Sequence, residues 1–209
     1  MRRIILFSLP ILLLTGCAQP GKISQEMKKG GEEEMVSSEK KVLMVIAPID
    51  FRDEEFLKPK DVFEKSGFEV MVASKGVKEA KGVLGAKVEV EIDLSQVDIA
   101  QFEALVFVGG PGSSVYFNDQ TALALAQAAV EQGKVVGAIC IAPSILANAG
   151  VLKDRKATAW ASEQGNLESQ GAVYTGAKVE IDGRIVTAKG PEAAVEFGEK
   201  IVELLEEGR

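Results

Sequence analysis

Cys140 is the side chain of this sequence with the clearest capacity for chemistry. It stands in residues 137–150, GAICIAPSILANAG, where a buried-strand pattern gives way to a helical one. A thiol at the start of a helix gains from the helix dipole and from free N–H groups, which lower its pKa and favour the reactive thiolate. A free cysteine between two isoleucines is equally typical of a small buried hydrophobe. On these residues alone both interpretations stay open.

The chain of 209 residues contains no histidine. This absence removes the commonest general base, the commonest metal ligand and the usual partner of a nucleophilic serine or cysteine. The formal net charge is -7, and the basic residues are scattered along the chain rather than clustered. A nucleic-acid-binding surface is therefore excluded as an interpretation, because such surfaces need a basic patch or stripe.

Two other loops carry groups that can assist such a thiol. Residues 109–112, Gly-Gly-Pro-Gly, can expose backbone N–H donors because glycine permits the required dihedral angles and close approach. The loop does not fit a dinucleotide-binding fingerprint, since Val115 stands where a third small residue belongs. Residues 50–55 carry four carboxylates, which at a helix start usually serve as caps and dipole partners. Asp50 and Asp53 have the spacing of a capping box.

The hydrophobic pattern alternates buried strands with helices. Apolar runs predict core strands over 41–47, 68–74, 103–110 and 134–140, and helices over 50–67, 119–132, 142–149 and 192–206. Alternating patterns with turn residues predict hairpins over 77–93 and 178–188, and a short strand is expected near 157–160. Strands alternating with helices of this length predict an α/β fold with a parallel sheet and helices on both faces.

The N-terminus has the layout of an export signal. Residues 1–16 combine a short basic start with an apolar run that is too short to span a bilayer comfortably. Leu-Thr-Gly-Cys at its end resembles the bacterial lipobox, which implies lipid on Cys17 and anchoring at the periplasmic or extracellular face of a bacterial membrane. Residues 17–40 are polar and charged and are predicted to form a flexible tether, followed by a single domain over 41–209. If Cys17 carries lipid, Cys140 is the one thiol left.

Taken together, the loops resemble the ThiJ/PfpI superfamily, which includes the Parkinsonism-associated deglycase and the PfpI-type proteases. The resemblance covers about Lys41 to Leu205 and rests on these motifs in this order: Glu55 followed by Pro59, the pair Gly109-Gly110, the elbow Ala138-Ile139-Cys140-x-x-Pro143, and Gly190-Pro191.

The resemblance implies a flavodoxin-like three-layer α/β/α sandwich with a mostly parallel central sheet, in which Cys140 is the nucleophile on a strained elbow. It also implies that Gly109-Gly110 and Ile141 form an oxyanion or binding site through backbone N–H groups, and that Glu55 hydrogen-bonds the sulfur. An ionised carboxylate would raise the pKa of the thiol, so the arrangement helps only if Glu55 keeps its proton and the two groups titrate as a unit. A homodimer is implied, and neither a metal nor an organic cofactor.

Two departures from the family pattern narrow the chemistry. Protease members place a histidine after the cysteine, whereas this chain has Ile141, which can neither activate a thiol nor protonate a leaving amine. The deglycase branch, which the chain resembles more, has a further histidine where Trp160 stands here. Trp160 is expected to reshape the pocket and to offer at most an indole donor.

Several functions remain open at this stage. The resemblance implies a cysteine-dependent deglycase or glyoxalase-like hydrolase acting on small reactive carbonyls such as methylglyoxal, with general base work falling on Glu55. The alternative is a non-enzymatic redox sensor in which an oxidant converts Cys140 to sulfenate or sulfinate. A structural protein with an inert site is also compatible with the missing histidine. A peptidase or amidase is the weakest interpretation, because Ile141 supplies no base.

Overall fold

The structure is a computed structural model that describes residues 40–207. The predicted signal peptide (residues 1–16), the lipidation site Cys17 and all but the last residue of the predicted tether (17–40) lie outside the described residues. The described part contains the strands β1 (Lys41–Val45), β2 (Ile49–Phe51), β3 (Glu69–Ser74), β4 (Glu79–Gly82), β5 (Lys87–Glu89), β6 (Ile92–Asp93), β7 (Ala104–Phe107), β8 (Val135–Ile139), β9 (Lys156–Ala157), β10 (Val173–Tyr174), β11 (Val179–Asp182) and β12 (Ile185–Ala188). The helices are α1 (Asp53–Lys65), α2 (Gln120–Glu131), α3 (Pro143–Asn148), α4 (Gln164–Ser169) and α5 (Ala194–Glu207).

Seven strands form the main sheet in the order β11-β12-β8-β7-β1-β3-β6. Every neighbouring pair is parallel except β11 with β12. All residues of β7 and β8 are buried, because helices cover both faces of the sheet. The sequences of these strands are therefore continuous apolar runs. The predicted flavodoxin-like α/β sandwich with a mostly parallel sheet is confirmed.

The helices approach the sheet closely at small residues. On one face α5 lies on β8, and a methyl group on Gly137 would stand 2.7 Å from the Ile201 side chain. The same helix packs against α1, where a methyl group on Gly198 would stand 3.1 Å from the Cα of Pro59. Because real Cβ contacts are rarely that short, both glycines set the spacing of this layer. On the other face α2 and α3 pack together against β8.

The start of α1 differs from the predicted capping box. The N-cap is Arg52, without a side-chain cap, and Asp50 lies outside the helix with a left-handed backbone (φ 61). Asp53 is the first helical residue, and its buried carboxylate accepts hydrogen bonds from the N–H groups of Leu84 (2.8 Å) and Ala86 (2.7 Å). The carboxylate therefore caps the turn between β4 and β5 rather than its own helix, because that turn has free donors and lies against the start of α1.

Several short elements were not predicted from the sequence. The hairpin predicted over 77–93 is confirmed as the antiparallel pair β4 and β5, but the additional strand β2, which joins them in a separate three-stranded sheet, was not predicted. Of the strand expected near 157–160 only Ala157 is extended; with Lys156 it forms β9, which pairs with the unpredicted β10. α4 was also missed. These elements have two to six residues, too few for a hydrophobic period to become visible.

The sheet brings three loops to one edge. β1, β7 and β8 are neighbouring and parallel, with Val45 paired to Phe107 and Phe107 paired to Ala138. Their carboxyl ends therefore point the same way, where ligands bind in open α/β sheets. The loop after β1 leads to the first turn of α1, and the loops after β7 and β8 begin at Val108 and Cys140.

Candidate functional site

Cys140 forms a strained elbow directly after β8. Its φ of 64 lies in the left-handed region, which a residue with a side chain adopts at a cost. Two backbone hydrogen bonds hold it there: its N–H donates to the carbonyl of Ala188 (2.9 Å), and its carbonyl accepts from the N–H of Trp160 (2.8 Å). The thiol is partly buried and lines a pocket. The backbone thus presents the sulfur at the edge of the sheet.

Glu55 reaches the same point from the first turn of α1. Its side chain is fully buried, and its carboxyl group hydrogen-bonds the Cys140 thiol. Neither carboxyl oxygen has a hydrogen-bonded nitrogen or oxygen partner. Burial raises the pKa of Glu55 to about 7. The contact with Cys140 and the positive charge of Arg52 lower this pKa, but by less than burial raises it. Glu55 and Cys140, predicted as partners, are in contact.

The pKa of the thiol differs from the expectation for a helix start. Burial, the larger cause, and the charge of Glu55 together raise the pKa of the Cys140 thiol to about 12. The predicted helix dipole does not offset this, because α3 begins only at Pro143 and has six residues. The two groups therefore form a coupled pair that loses its first proton near pH 7 and its second near pH 12. Between these values the pair shares one proton.

Backbone N–H groups surround the sulfur as the glycine loop suggested. Those of Gly110 and Ile141 hydrogen-bond Cys140 and lower the pKa of its thiol. Gly110 has a φ of 97, which only glycine adopts freely. Gly109 lies against the pair itself: a methyl group there would stand 2.6 Å from the Cβ of Cys140 and closer still to a carboxyl oxygen of Glu55. The two donors can hold a negative oxygen attached to a carbon or to the sulfur itself.

The pocket above the sulfur has a volume of about 460 Å³. Trp160, predicted as a pocket residue, lines it, with 45% of its surface exposed. Its ring lies over Gly190, where a methyl group would stand 2.9 Å from the indole. The full lining is Arg52, Glu55, Gly110, Pro111, Cys140, Ile141, Trp160, Ser162, Glu163 and Pro191.

Two charged residues of the pocket were missed by sequence reasoning. Arg52 lies at the N-cap of α1 and pairs with Glu54 (2.8 Å). Glu163 follows Trp160, and its two carboxylate oxygens accept hydrogen bonds from Ser144 and Ser162 (2.6 Å each). A cation beside four carboxylates was a visible signal for Arg52. Nothing in the sequence around Glu163 marked it.

Within residues 40–207, no group of cysteine, aspartate and glutamate side chains is arranged to hold a metal ion. The same residues include no helix whose length and apolar character suffice to cross a membrane.

Fold and site together define a flavodoxin-like α/β domain with a cysteine elbow and a buried carboxyl partner. The sequence model of the DJ-1/PfpI family matches residues 40–204. The chain belongs to the DJ-1/PfpI family.

Similar proteins and solved structures support the assignment to this family. The chain is 42% identical to an uncharacterised protein of Methanocaldococcus jannaschii, covering 79% of this chain and 82% of that protein. It is 32% identical to a deglycase of Thermococcus kodakarensis (78% and 98% covered) and 30% identical to the glutathione-independent glyoxalase DJR-1.2 of Caenorhabditis elegans (82% and 91%). Among solved structures, a ThiJ/PfpI domain protein from Brachyspira murdochii superposes with a TM-score of 0.79 at 30% identity, covering 81% of this chain and 98% of that one.

The coupled pair makes a prediction about pH. The rate at which iodoacetamide alkylates Cys140 is expected to rise with an apparent pKa near 7, because that is where the pair loses its first proton. An isolated thiol of the same burial would titrate above 9. Quenched alkylation followed by intact-mass measurement from pH 5 to 10 gives the profile. In Glu55→Gln the midpoint near 7 should disappear, and a wild-type midpoint at 9 or above would contradict the coupling.

Gly109→Ala is expected to disrupt the pair. The added methyl group overlaps Cys140, Glu55 and the carbonyl of Ile139 (2.6 Å), so we expect a loss of about 2–3 kcal/mol in the free energy of unfolding, together with slower alkylation of Cys140. Urea titration measures the first and mass spectrometry the second. Gly165→Ala in α4 is the matched control: nothing lies within 4 Å of its added methyl group, and the helix should gain about 0.5–1 kcal/mol. Equal behaviour of the two variants would contradict the close packing.

Proposed function

We propose that this protein is a cysteine-dependent enzyme of the deglycase or glyoxalase type that acts on small reactive carbonyl compounds such as methylglyoxal. The observation that carries the proposal is the contact between the elbow thiol of Cys140 and the buried carboxyl group of Glu55 at a pocket of about 460 Å³. Such a pocket admits a molecule of a few carbon atoms with room to spare. The names of the relatives from T. kodakarensis and C. elegans support the same class.

The proposed chemistry begins with addition. The sulfur of Cys140 attacks the aldehyde carbon, a C–S bond forms, and the electron pair of the C=O bond moves to oxygen. The N–H groups of Gly110 and Ile141 stabilise the oxygen as charge develops, and Glu55 delivers to it the proton that the pair shares. The product of this step is a hemithioacetal. Because the shared proton is already in place above pH 7, the step requires no histidine.

The test is product identification. Purified protein is incubated with methylglyoxal in the presence of a chelator, and lactate is measured by chiral chromatography. We expect lactate to form catalytically and its formation to stop once iodoacetamide has alkylated Cys140, with protection by substrate present during alkylation. Absence of turnover in the unmodified protein would contradict the proposal.

A second candidate function rests on the two backbone donors. The N–H groups of Gly110 and Ile141 point at the sulfur, so they can also stabilise a sulfinate formed when peroxide oxidises Cys140. A redox sensor predicts that peroxide adds two oxygen atoms to Cys140 in protein that shows no carbonyl turnover. Mass spectrometry after graded peroxide exposure, beside the lactate assay, separates the two functions.

We also propose that the protein is exported and anchored to a bacterial membrane by lipid on Cys17, with residues 17–40 as a tether and residues 41–209 as one domain. The layout of residues 1–16 supports this. Mass spectrometry of the mature N-terminus isolated from membranes tests it.

A homodimer is proposed as well, supported by apolar side chains that are exposed on the three-stranded sheet and its turn, among them Ile49 and Leu84 (60% each). Light scattering of the purified protein measures the oligomeric state.

A further inference from the structure

We propose that Glu163 is a second catalytic residue, which carries the carbon-bound proton during isomerisation of the hemithioacetal. The inference rests on the proposed function, because it concerns the step that follows addition of Cys140 to a dicarbonyl. It adds a role that the family motifs do not assign: Glu163 lies outside all of them, and the chain has no histidine to serve instead.

The lining of the pocket narrows the choice of proton carrier. Four of its residues in the described part of the chain can ionise: Arg52, Glu55, Cys140 and Glu163. Arginine does not give up its proton in proteins, and Cys140 is bonded to the substrate after addition. After addition both Glu55 and Glu163 are carboxylates; Glu55 is fully buried beside the sulfur and is the base that later activates water, whereas Glu163 is partly exposed. Glu163 is therefore the carboxylate of the pocket that is placed to carry the carbon-bound proton.

Hydrogen bonds hold Glu163 close to the elbow. The backbone N–H of Ser144 donates to the carbonyl of Ile141, the residue after Cys140, and the Ser144 hydroxyl donates to Glu163 (2.6 Å). The backbone of Trp160 makes the second connection: its N–H donates to the Cys140 carbonyl, and its carbonyl accepts a hydrogen bond from the backbone N–H of Glu163 (2.9 Å). Glu163 is thus held by a backbone hydrogen bond to Trp160 and a side-chain hydrogen bond from Ser144, and both of these residues are hydrogen-bonded to the backbone of the Cys140 elbow.

The surroundings of the Glu163 carboxyl group suit a proton carrier. Both of its oxygens accept hydroxyl hydrogen bonds, from Ser144 and from Ser162 (2.6 Å each). Each oxygen keeps a further lone pair for a proton. Glu163 is partly exposed, whereas Glu55 is fully buried, so a proton on Glu163 can exchange with water.

The step balances without an oxidant. Glu163 removes the hydrogen of the former aldehyde carbon, and that electron pair forms a double bond to the neighbouring carbon, whose carbonyl oxygen takes the proton of the first oxygen. The enediolate then collapses: the first oxygen re-forms a carbonyl, and Glu163 returns its proton to the second carbon. The first carbon is oxidised to a thioester and the second reduced to an alcohol. Water hydrolyses the thioester with Glu55 as base, which releases lactate and restores the shared proton of the pair.

The test compares two variants in full-length protein with methylglyoxal as the probe. Glu163→Gln is expected to lower kcat about 100-fold, the usual range for a general base, while the alkylation rate of Cys140 by iodoacetamide stays within twofold of wild type. The hemithioacetal adduct should accumulate in intact-mass spectra of this variant. Deuterium at the aldehyde carbon should slow it further, because C–H cleavage becomes rate-limiting. Glu168→Gln, at an exposed position of α4, is the matched control and should keep wild-type kcat.

Each outcome decides the inference. If Glu163→Gln loses less than tenfold in kcat, or loses alkylation in parallel with turnover, Glu163 is not the proton carrier, and the proposed function stands on the wild-type lactate assay alone. If wild type produces no lactate, the proposed function and this inference fail together. Should Glu163→Gln fold poorly, Glu163→Ala with added formate replaces it: recovery of kcat by formate supports the role, and no recovery overturns it.

Discussion

Cys140→Ser is expected to abolish turnover of methylglyoxal, with kcat falling at least about 10³-fold to the background rate. Serine is close to cysteine in size and keeps the elbow backbone, so the fold should survive. Its hydroxyl group is a far weaker acid than a thiol, and a buried carboxyl group such as Glu55 cannot ionise it. Lactate formation and the mass of the covalent adduct measure the loss.

The other cysteine of the chain provides the control for this variant. Cys17→Ser removes the predicted lipidation site and leaves the described domain untouched, so turnover of the purified protein should equal that of wild type. Retention of more than a tenth of the activity in Cys140→Ser would mean that another group attacks the carbonyl compound.

Glu55→Gln is expected to stabilise the fold at pH 8 by about 3 kcal/mol while it disables the pair. The unfolded chain loses the Glu55 proton near pH 4.5, whereas in the fold the Glu55–Cys140 pair loses its first proton only near pH 7, so folding without that proton is penalised. Between these pH values the folded state holds more protons than the unfolded state, so the free energy of unfolding falls as pH rises. The penalty is absent below pH 4.5 and complete above pH 7. Glutamine has no charge and escapes it.

Chemical denaturation at two pH values tests this prediction. At pH 8 the variant should exceed wild type by about 3 kcal/mol, and at pH 4.5 the two should agree within about 0.5 kcal/mol. Glu64→Gln on the same helix is the control: Glu64 is exposed, pairs with Lys60, and should change stability by less than about 1 kcal/mol at either pH. A Glu55→Gln variant that is less stable than wild type at pH 8 would show that the carboxylate is not penalised by burial.

The sequence predicted the framework of the site because that framework depends on long, regular patterns. The core strands β1, β3, β7 and β8 are apolar runs that only a doubly covered sheet explains, and the chain order places the loops after β1, β7 and β8 at one edge. The contact between Glu55 and Cys140 was expected from the resemblance to the family. The resemblance also suggested the strained elbow, which the positive φ of Cys140 displays.

Other features depend on contacts between distant residues and leave no local pattern. Asp53 was predicted to cap its own helix, yet it binds N–H groups of Leu84 and Ala86, more than thirty positions away. Glu163 belongs to the site through Ser144, nineteen positions earlier. The thiol pKa was expected to fall with the helix dipole, and it rises because the amount of burial is a property of the packed structure.

The left-handed backbone at position 140 lowers the stability of the fold but presents the thiol for reaction. A side chain in the left-handed region costs roughly 1–2 kcal/mol, and glycine removes most of that cost. In laboratory evolution with heat tolerance as the only criterion, glycine is therefore the residue expected to accumulate at this position. A lineage that keeps cysteine there remains less stable to heat than one with glycine. The advantage that maintains the cysteine must therefore come from the reactivity of its thiol.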